Sequence, residues 1–300
     1  MMNSFASCFP GEEIAAKNFL AAIDHAWIDA ALIDQLIKPR DPSGHKGSFG
    51  HLLLVAGSEG KTGAAILSAK SALRTGCGLL TAAIPEDART PLLTLVPEAM
   101  TLVRNDQAAT NISPGHFNAV AFGPGAGMQA GAWLMHLLEY TALPMLIDAD
   151  GLNLLSVHAE WRALLSPHII LTPHPGEFDR LTHTHVSKLE RLKTQLEFSG
   201  NNNVIVLLKG PHTSVAFPDG RLYFNTTGNS GMGTAGSGDV LTGIIGSLLA
   251  QGYAPEKAVL LGVYLHGFAG DDAAARLSKT SLIASDIIEA IPAFFRKFEK

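Results

Sequence analysis

The chain has 300 residues, 47% of them hydrophobic and 16% charged, with a formal net charge of −5. That composition fills a large apolar core and excludes intrinsic disorder, and a mildly acidic chain with no basic run makes a poor grip on a nucleic-acid backbone. Two cysteines, Cys8 and Cys77, exclude a disulfide framework, and no apolar run reaches the roughly 18 residues that cross a bilayer. No basic stretch followed by an apolar run opens the chain, so the expectation is a cytoplasmic globule without membrane or nucleic-acid partners.

Residues 1–44 read as a helical extension. Glu12 to Ile23 and Ile28 to Ile37 space apolar residues three and four apart, and the Pro39 to Gly44 stretch then breaks the chain. From residue 45 to 300 the pattern changes to short apolar runs alternating with helical stretches, which reads as one globular unit. His51 to Ala56 precedes a helix over Thr62 to Thr75. Leu79 to Ile84 follows, and Asn118 to Phe122 precedes a helix over about 129–140. Met145 to Ile147 ends in Asp148-Ala149-Asp150, His168 to Leu171 ends in Thr172 to Glu177, and Val204 to Leu208 ends in Lys209-Gly210. These runs are apolar throughout, as in strands covered on both faces. The pattern predicts an α/β protein, a three-layer α/β/α sandwich with a mostly parallel sheet. Thr213 to Phe217 and Arg221 to Phe224 flank Pro218-Asp219-Gly220 and predict a hairpin, giving the sheet an antiparallel edge. Three helices close the chain, over Asp239 to Ala250, Pro255 to Arg276 and Ile283 to Phe298.

Ligands of open α/β sheets bind beyond the carboxyl ends of the strands, and the polar and glycine-rich clusters fall there. Gly57 to Gly60, Gly123 to Gly127, Asp148 to Asp150, His174 to Glu177 and Lys209-Gly210 each follow a strand. The richest segment runs from Thr227 to Asp239 and enters an apolar helix. Free N–H groups at a helix N-terminus suit a phosphate or an oxyanion, so Gly236, Ser237 and Gly238 are the candidate anion hole. Asp239, expected at the cap or first helical position, is placed to take a proton from a substrate hydroxyl while the hole holds a transferred phosphoryl group. The alternative for Asp239 is an ordinary N-cap.

Lys209, Gly210, Pro211, His212 and Thr213 end a buried strand with an amine, a flexible residue and a hydroxyl, which suits a nucleotide phosphate. His174, held between two prolines, is a candidate ligand contact, and Glu177 a candidate helix-start carboxylate. Asp148 and Asp150 read either as metal or hydroxyl ligands or as helix caps.

Two partial motifs fail. Gly57 to Thr62 resembles the end of a P-loop, but Val55 stands where the pattern needs glycine. Gly125 to Ala130 matches a loose dinucleotide fingerprint, but strands precede it where a Rossmann unit would begin. His183 and His185 lie two apart on a loop without a transition-metal spacing.

Taken together, several motifs occur in one order: His45-Lys-Gly-Ser-Phe-Gly-His51, Ala56-Gly-Ser58, Gly63-Ala-Ala65, Gly123-Pro-Gly125, Asp148 to Asn153, Thr172 to Glu177, Lys209-Gly210, Gly228-Asn229 and Gly236-Ser-Gly-Asp239. The chain therefore resembles the ADP- or ATP-dependent NAD(P)H-hydrate dehydratases of the ribokinase-like superfamily over about residues 45 to 298. The resemblance implies a ribokinase-like fold and the stand-alone form, because residues 1–44 leave no room for the epimerase domain found fused in some relatives. It implies a repair reaction on hydrated NADH and NADPH, in which a nucleotide phosphorylates the ring hydroxyl and phosphate then leaves. It also implies substrate contacts at Ala64, Gly125, His174 and Asp239, and nucleotide contacts at Lys209 to Thr213 and Gly238. Magnesium and a homo-oligomer, specifically a tetramer, are expected from the family; the metal ligands stay unassigned, and the apolar Ile14 to Ile37 segment is a candidate interface. A ribokinase-like kinase of a small alcohol is the alternative reading. The chain departs from the family at Ala235, where relatives often carry glycine, and at Pro211, which lacks a backbone donor.

Overall fold

The computed structural model describes residues 9–105, 112–139 and 143–298. Its strands are β1 (His25–Ile28), β2 (His51–Val55), β3 (Leu79–Ile84), β4 (Met100–Val103), β5 (Ala119–Phe122), β6 (Met145–Ile147), β7 (Ile169–Leu171), β8 (Ile205–Leu208), β9 (Ser214–Ala216) and β10 (Leu222–Asn225). The helices are α1 (Glu13–Ala21), α2 (Ala30–Leu36), α3 (Thr62–Thr75), α4 (Arg89–Leu95), α5 (Gly131–Leu138), α6 (Asp150–Val157), α7 (Pro175–Leu181), α8 (Lys188–Asn201), α9 (Ser237–Ala250), α10 (Pro255–Arg276) and α11 (Ala284–Phe298). The strands form one 10-stranded sheet in the order β1-β10-β9-β8-β7-β6-β5-β2-β3-β4. Every neighbouring pair is parallel except the two that β9 makes, with β8 and with β10.

The sheet is sealed on both faces, and alternate residues of one strand serve alternate layers. Leu52 and Leu54 of β2 join the core under α3, α9, α10 and α11, with Ala65, Ile244, Leu261 and Phe294. Leu53 and Val55 join the opposite core, with Phe122, Trp133, Leu155 and Phe178. A smaller cluster of Leu20, Leu192, Leu222 and Phe224 sits under α1 and α8. This is the three-layer α/β/α sandwich that the apolar runs predict.

Two expectations for the periphery change. The segment read as helical from Ile28 to Ile37 begins one element earlier, with β1, and α2 then starts at Ala30 behind the Asp29 cap, whose carboxylate accepts from Leu32 N at 3.0 Å. Helical spacing and a four-residue strand overlap in so short a stretch, and only the pairing of His25↔Leu222 through Ile28↔Asn225 decides it. The hairpin forms as expected, but β1 covers β10, so β9 is an internal antiparallel strand and β1 is the sheet edge. Leu20, Ile28, Ile33 and Ile37 of the N-terminal segment are buried in the chain's own core, and Ile14 is its exposed large apolar residue among those described. Cys77 is free and buried, and burial pushes its thiol up to about 11; Cys8 lies outside the described residues. No helix among the described residues is long and apolar enough to cross a membrane.

The sheet order reverses between β2 and β5. The chain builds outward from β2 through β3 to β4 on one side, and from β5 through β6 and β7 to β8 on the other. The crevice in which ligands of such sheets bind lies beyond the strands' carboxyl ends at this reversal. The α9 helix runs beneath this crevice and crosses α3 at close range. A Cβ added at Gly243 would lie 2.0 Å from Ser71 Oγ and 2.1 Å from Ser68 O. Gly243→Ala therefore forces α3 and α9 apart and should destabilise the fold by about 1–3 kcal/mol; an unchanged urea midpoint would contradict this packing.

Candidate active site

The carboxyl ends of β6, β7 and β8 and the start of α9 bring four charged side chains together. Asp148 leaves β6 and is only 2% exposed. It accepts from Lys209 Nζ at 2.6 Å and from Thr242 Oγ1 at 2.8 Å. Lys209 leaves β8 and also approaches Glu177 Oε2 at 3.8 Å. Burial works to lower the Lys209 amine, but the charges of Asp148 and Glu177, the Asp148 hydrogen bond and the charge of Asp239 outweigh it and raise the amine above its ordinary value. Thr242 stands one helical turn beyond Asp239, so both side chains project from the same face of α9.

Asp239 is the third residue of α9 rather than its cap. The cap is Gly236, whose φ of 87° lies in the left-handed region that glycine enters without strain. A side chain there would also strike Leu67 Cδ1 at 2.4 Å. Ala235 is absent from the residues with positive φ, so its departure from the family pattern carries no strain. The Ser237 N–H turns back to Thr234 O at 3.4 Å. The Ser237 hydroxyl lies 3.3 Å from Nε2 of His266, an α10 histidine that burial drives down to about 4. The N–H groups of Gly238 and Asp239 have no acceptor among the described residues. They, more than Ser237, form the candidate anion hole. Lys209 Nζ borders it, 3.5 Å from where a Cβ on Gly238 would stand. Burial, then the neighbouring charge of Asp148, raises Asp239 to about 6; Lys209 pulls it down and Asp150 adds to the rise. The result is a carboxylate poised near neutrality beside an anion-accepting helix start.

The other candidates divide between the two sides of the crevice. Gly125 has a φ of 57°, and a Cβ there would lie 2.9 Å from Lys61 Cβ and 3.2 Å from Ala64 Cβ. The loops after β2 and β5 are joined by Gly57 N donating to Pro124 O at 2.8 Å. Ala64 and Gly125, far apart in sequence, thus form one wall. Across the crevice His174 caps α7. Its Nδ1 accepts from Gly176 N at 3.0 Å and Glu177 N at 3.3 Å, while Glu177 Oε2 accepts from His174 N at 2.8 Å. The histidine side chain remains half exposed. Glu177 is thus both a helix-start carboxylate and part of the buried charge cluster. Asp150 is not the N-cap of α6. That place is Ala149, at φ 47°, whose twisted backbone sends Asp148 and Asp150 to different partners.

In the turn after Lys209, His212 adopts φ 59°, and Thr213 Oγ1 accepts from Gly210 N at 3.3 Å and donates to Gly210 O at 3.0 Å. His185 is buried against Asp179, 2.7 Å from Nδ1 to Oδ1, and Arg191 binds the same carboxylate through two nitrogens. No group of three metal-ligating side chains occurs among the described residues.

Sequence reasoning missed Thr242 and Asp271. The signal for Thr242 was its place three residues after Asp239 on one helix. Asp271 accepts from Gly228 N at 2.8 Å and Asn229 Nδ2 at 2.9 Å, holding the glycine-rich approach to α9; no local pattern marks it.

Residues 52–293 match the family model described as NAD(P)H-hydrate dehydratase. The chain belongs to the NAD(P)H-hydrate dehydratase family. It is 42% identical over 245 residues to the ADP-dependent (S)-NAD(P)H-hydrate dehydratase of Neisseria meningitidis, covering 79% of this chain and 81% of that one. It is 38% identical over 307 residues to the bifunctional NAD(P)H-hydrate repair enzyme of Moorella thermoacetica, covering 97% of this chain but only 57% of the relative's length. The structure is similar to that of the Bacillus subtilis ADP/ATP-dependent NAD(P)H-hydrate dehydratase co-crystallised with ATP and Mg2+. The TM-score is 0.81 at 30% identity, covering 92% of this chain and 99% of the other. The fold is ribokinase-like, as in a superfamily member from Enterococcus faecalis.

Removing the one ammonium among these carboxylates leaves Asp148, Glu177 and Asp239 uncompensated. Lys209→Ala should cost about 3–5 kcal/mol at pH 8. The deficit shrinks as Asp239 protonates below about pH 6; melting curves at pH 8 and pH 5 check both.

Proposed function

We propose that the chain is an ADP- or ATP-dependent (S)-NAD(P)H-hydrate dehydratase. The observation that carries this is the meeting of Asp239, the open N–H groups of Gly238 and Asp239, and the Lys209 ammonium at the start of α9. A carboxylate, an anion hole and a cation within one crevice match the needs of phosphoryl transfer to a hydroxyl. Asp239, titrating near 6, accepts the proton of the ring hydroxyl. The hydroxyl oxygen then bonds to the terminal phosphorus of the nucleotide as the bond to its bridging oxygen breaks, the nucleotide leaves one phosphate shorter, and the developing charge is met by the N–H groups of Gly238 and Asp239 and by Lys209. Hydroxide is a poor leaving group and phosphate a good one, so phosphate departs with the carbon–oxygen electron pair, the neighbouring ring carbon gives up a proton, and the ring double bond of the reduced nicotinamide returns.

The wall formed by Ala64 and Gly125, with His174 opposite, holds the ring, and the Lys209 to Thr213 turn flanks the nucleotide. A magnesium ion fits the crevice in charge, since Asp148, Glu177 and Asp239 outnumber the one ammonium among them. No protein cage of three ligands exists among the described residues, so nucleotide phosphate oxygens would supply most of its ligands, with Asp239 or Asp148 beside them. Bound there, the ion would neutralise charge on the transferred phosphoryl group.

The direct test mixes the protein with NADH hydrate, magnesium and either ADP or ATP and follows the return of reduced-nicotinamide absorbance. Recovery that depends on nucleotide supports the dehydratase. A phosphorylated product that accumulates without elimination would instead favour a kinase of a small alcohol.

Two outcomes follow from Asp239. The base must be ionised, so kcat/KM should fall about tenfold per pH unit below roughly pH 6; a rate flat down to pH 5 would remove Asp239 as the base. Asp239→Asn should nearly abolish turnover while keeping nucleotide affinity. Because the folded carboxyl is raised above its ordinary value, its ionised form costs stability above about pH 6. The Asn variant should therefore melt higher than the parent at pH 8, and the gap should close as pH falls from about 6 toward the ordinary carboxyl range near 4.

A further inference from the structure

The mouth of the crevice carries charged groups that phosphoryl transfer does not use. Lys61 Nζ meets Asp150 Oδ2 at 3.2 Å, Asn153 Nδ2 donates to Asp150 Oδ1 at 3.3 Å, and Arg180 Nε donates to Asn153 Oδ1 at 3.1 Å. Asp150 Oδ2 also accepts from Gly127 N at 2.9 Å, which fixes it to the loop after β5. This polar chain spans the crevice. At one end Lys61 packs beside Gly125 and Ala64. At the other, Arg180 Nη1 lies 3.9 Å from where a Cβ on Gly176 would stand, two residues past His174.

Arg104, just beyond β4, adds a third cation. Its Nη2 donates to Gly57 O in the loop that precedes Lys61, and its Nε is buried with no partner among the described residues. Lys61 thus pairs with Asp150 directly, Arg180 reaches it through Asn153, and Arg104 is held to the loop before Lys61. Lys61 is 54% exposed and Arg180 is exposed, and ion pairs so open to water contribute little to stability. Folding alone gives no reason for this convergence.

We propose that Lys61, Arg104 and Arg180 form the subsite for the pyrophosphate of the dinucleotide substrate. The inference rests on the dehydratase reading. A hydrated dinucleotide whose ring hydroxyl meets Asp239 must extend its two phosphates out of the crevice past the Ala64 and Gly125 wall. Lys61 and Arg180, joined through Asp150 and Asn153, border the same opening as the Ala64 and Gly125 wall and His174. Guanidinium forks match phosphate oxygens in geometry, and Lys61 adds a mobile point charge. Asp150 and Asn153 keep Lys61 and Arg180 extended over the mouth rather than folded away.

The test compares three ligands in Lys61→Ala, Arg180→Ala, Arg104→Ala and the double variant Lys61→Ala/Arg180→Ala. They are NADH hydrate, the hydrate of reduced nicotinamide riboside, which carries no phosphate, and the nucleotide cosubstrate. In the double variant KM for NADH hydrate should rise at least about tenfold, and the preference for it over the riboside hydrate should fall by a similar factor. An equal loss for both hydrates, or a rise confined to the nucleotide KM, would overturn the subsite; the latter would assign the cations to the cosubstrate's phosphates. Arg104 is part-buried and its variant carries a folding risk, so the exposed double variant decides. Calorimetric titration with NADH gives a readout independent of turnover. Weaker NADH binding in the double variant supports the subsite even where the wild type fails to turn over NADH hydrate, a failure that would count against the dehydratase reading alone. Unchanged NADH binding overturns the subsite.

Discussion

The contact between Lys209 and Asp148 holds the site together. One ammonium, nearly enclosed, lies 2.6 Å from a carboxylate on the next strand but one and 3.8 Å from Glu177 on the helix after the strand between them. Asp148 also reaches Thr242, so the ends of β6, β7 and β8 and the first turns of α9 are tied to a single charge cluster. A buried charge tolerates such a place only when it is paired and hydrogen-bonded. The cluster therefore constrains where α9 begins relative to the sheet, and with it the position of Asp239.

That placement determines the chemistry. Asp239 shares its surroundings with a carboxylate that raises its affinity for a proton and an ammonium that lowers it, and burial tips the balance upward. A surface aspartate would remain ionised far into acid and would be a weak base. Here the fold brings it near neutrality, within reach of N–H groups that the helix start leaves without backbone acceptors. The lysine that steadies Asp148 also borders the candidate anion hole, so one cation both ties the strand ends together and faces the helix start.

The remaining half of the crevice comes from sheet topology. The strand order reverses between β2 and β5, and the loops after these two neighbouring strands are joined by Gly57 and Pro124. Ala64 and Gly125 meet there only because Gly125 lacks a side chain and takes a left-handed backbone. The charged rim of Lys61, Asp150, Asn153 and Arg180 is built from three elements along the same opening: the cap of α3, α6 and α7.

Much of this is legible in the sequence alone. Apolar strands without alternation determine a sheet covered on both faces, and the glycine-rich run into an apolar helix determines a helix start at Gly236 to Asp239. Both follow from local chemistry: strand burial from composition, the helix start from glycine's backbone freedom and the carboxylate three residues on. What only the tertiary structure decided depends on partners distant in the chain. The strand character of His25–Ile28 required β10 beside it. The dual role of Glu177, the engagement of Lys209 by Asp148, and the part played by Thr242 required three strand ends to converge. The raised affinity of Asp239 for a proton is a sum over burial and charges brought in by those strands. Such a sum is set by distances in space, and a spacing along the sequence does not contain it.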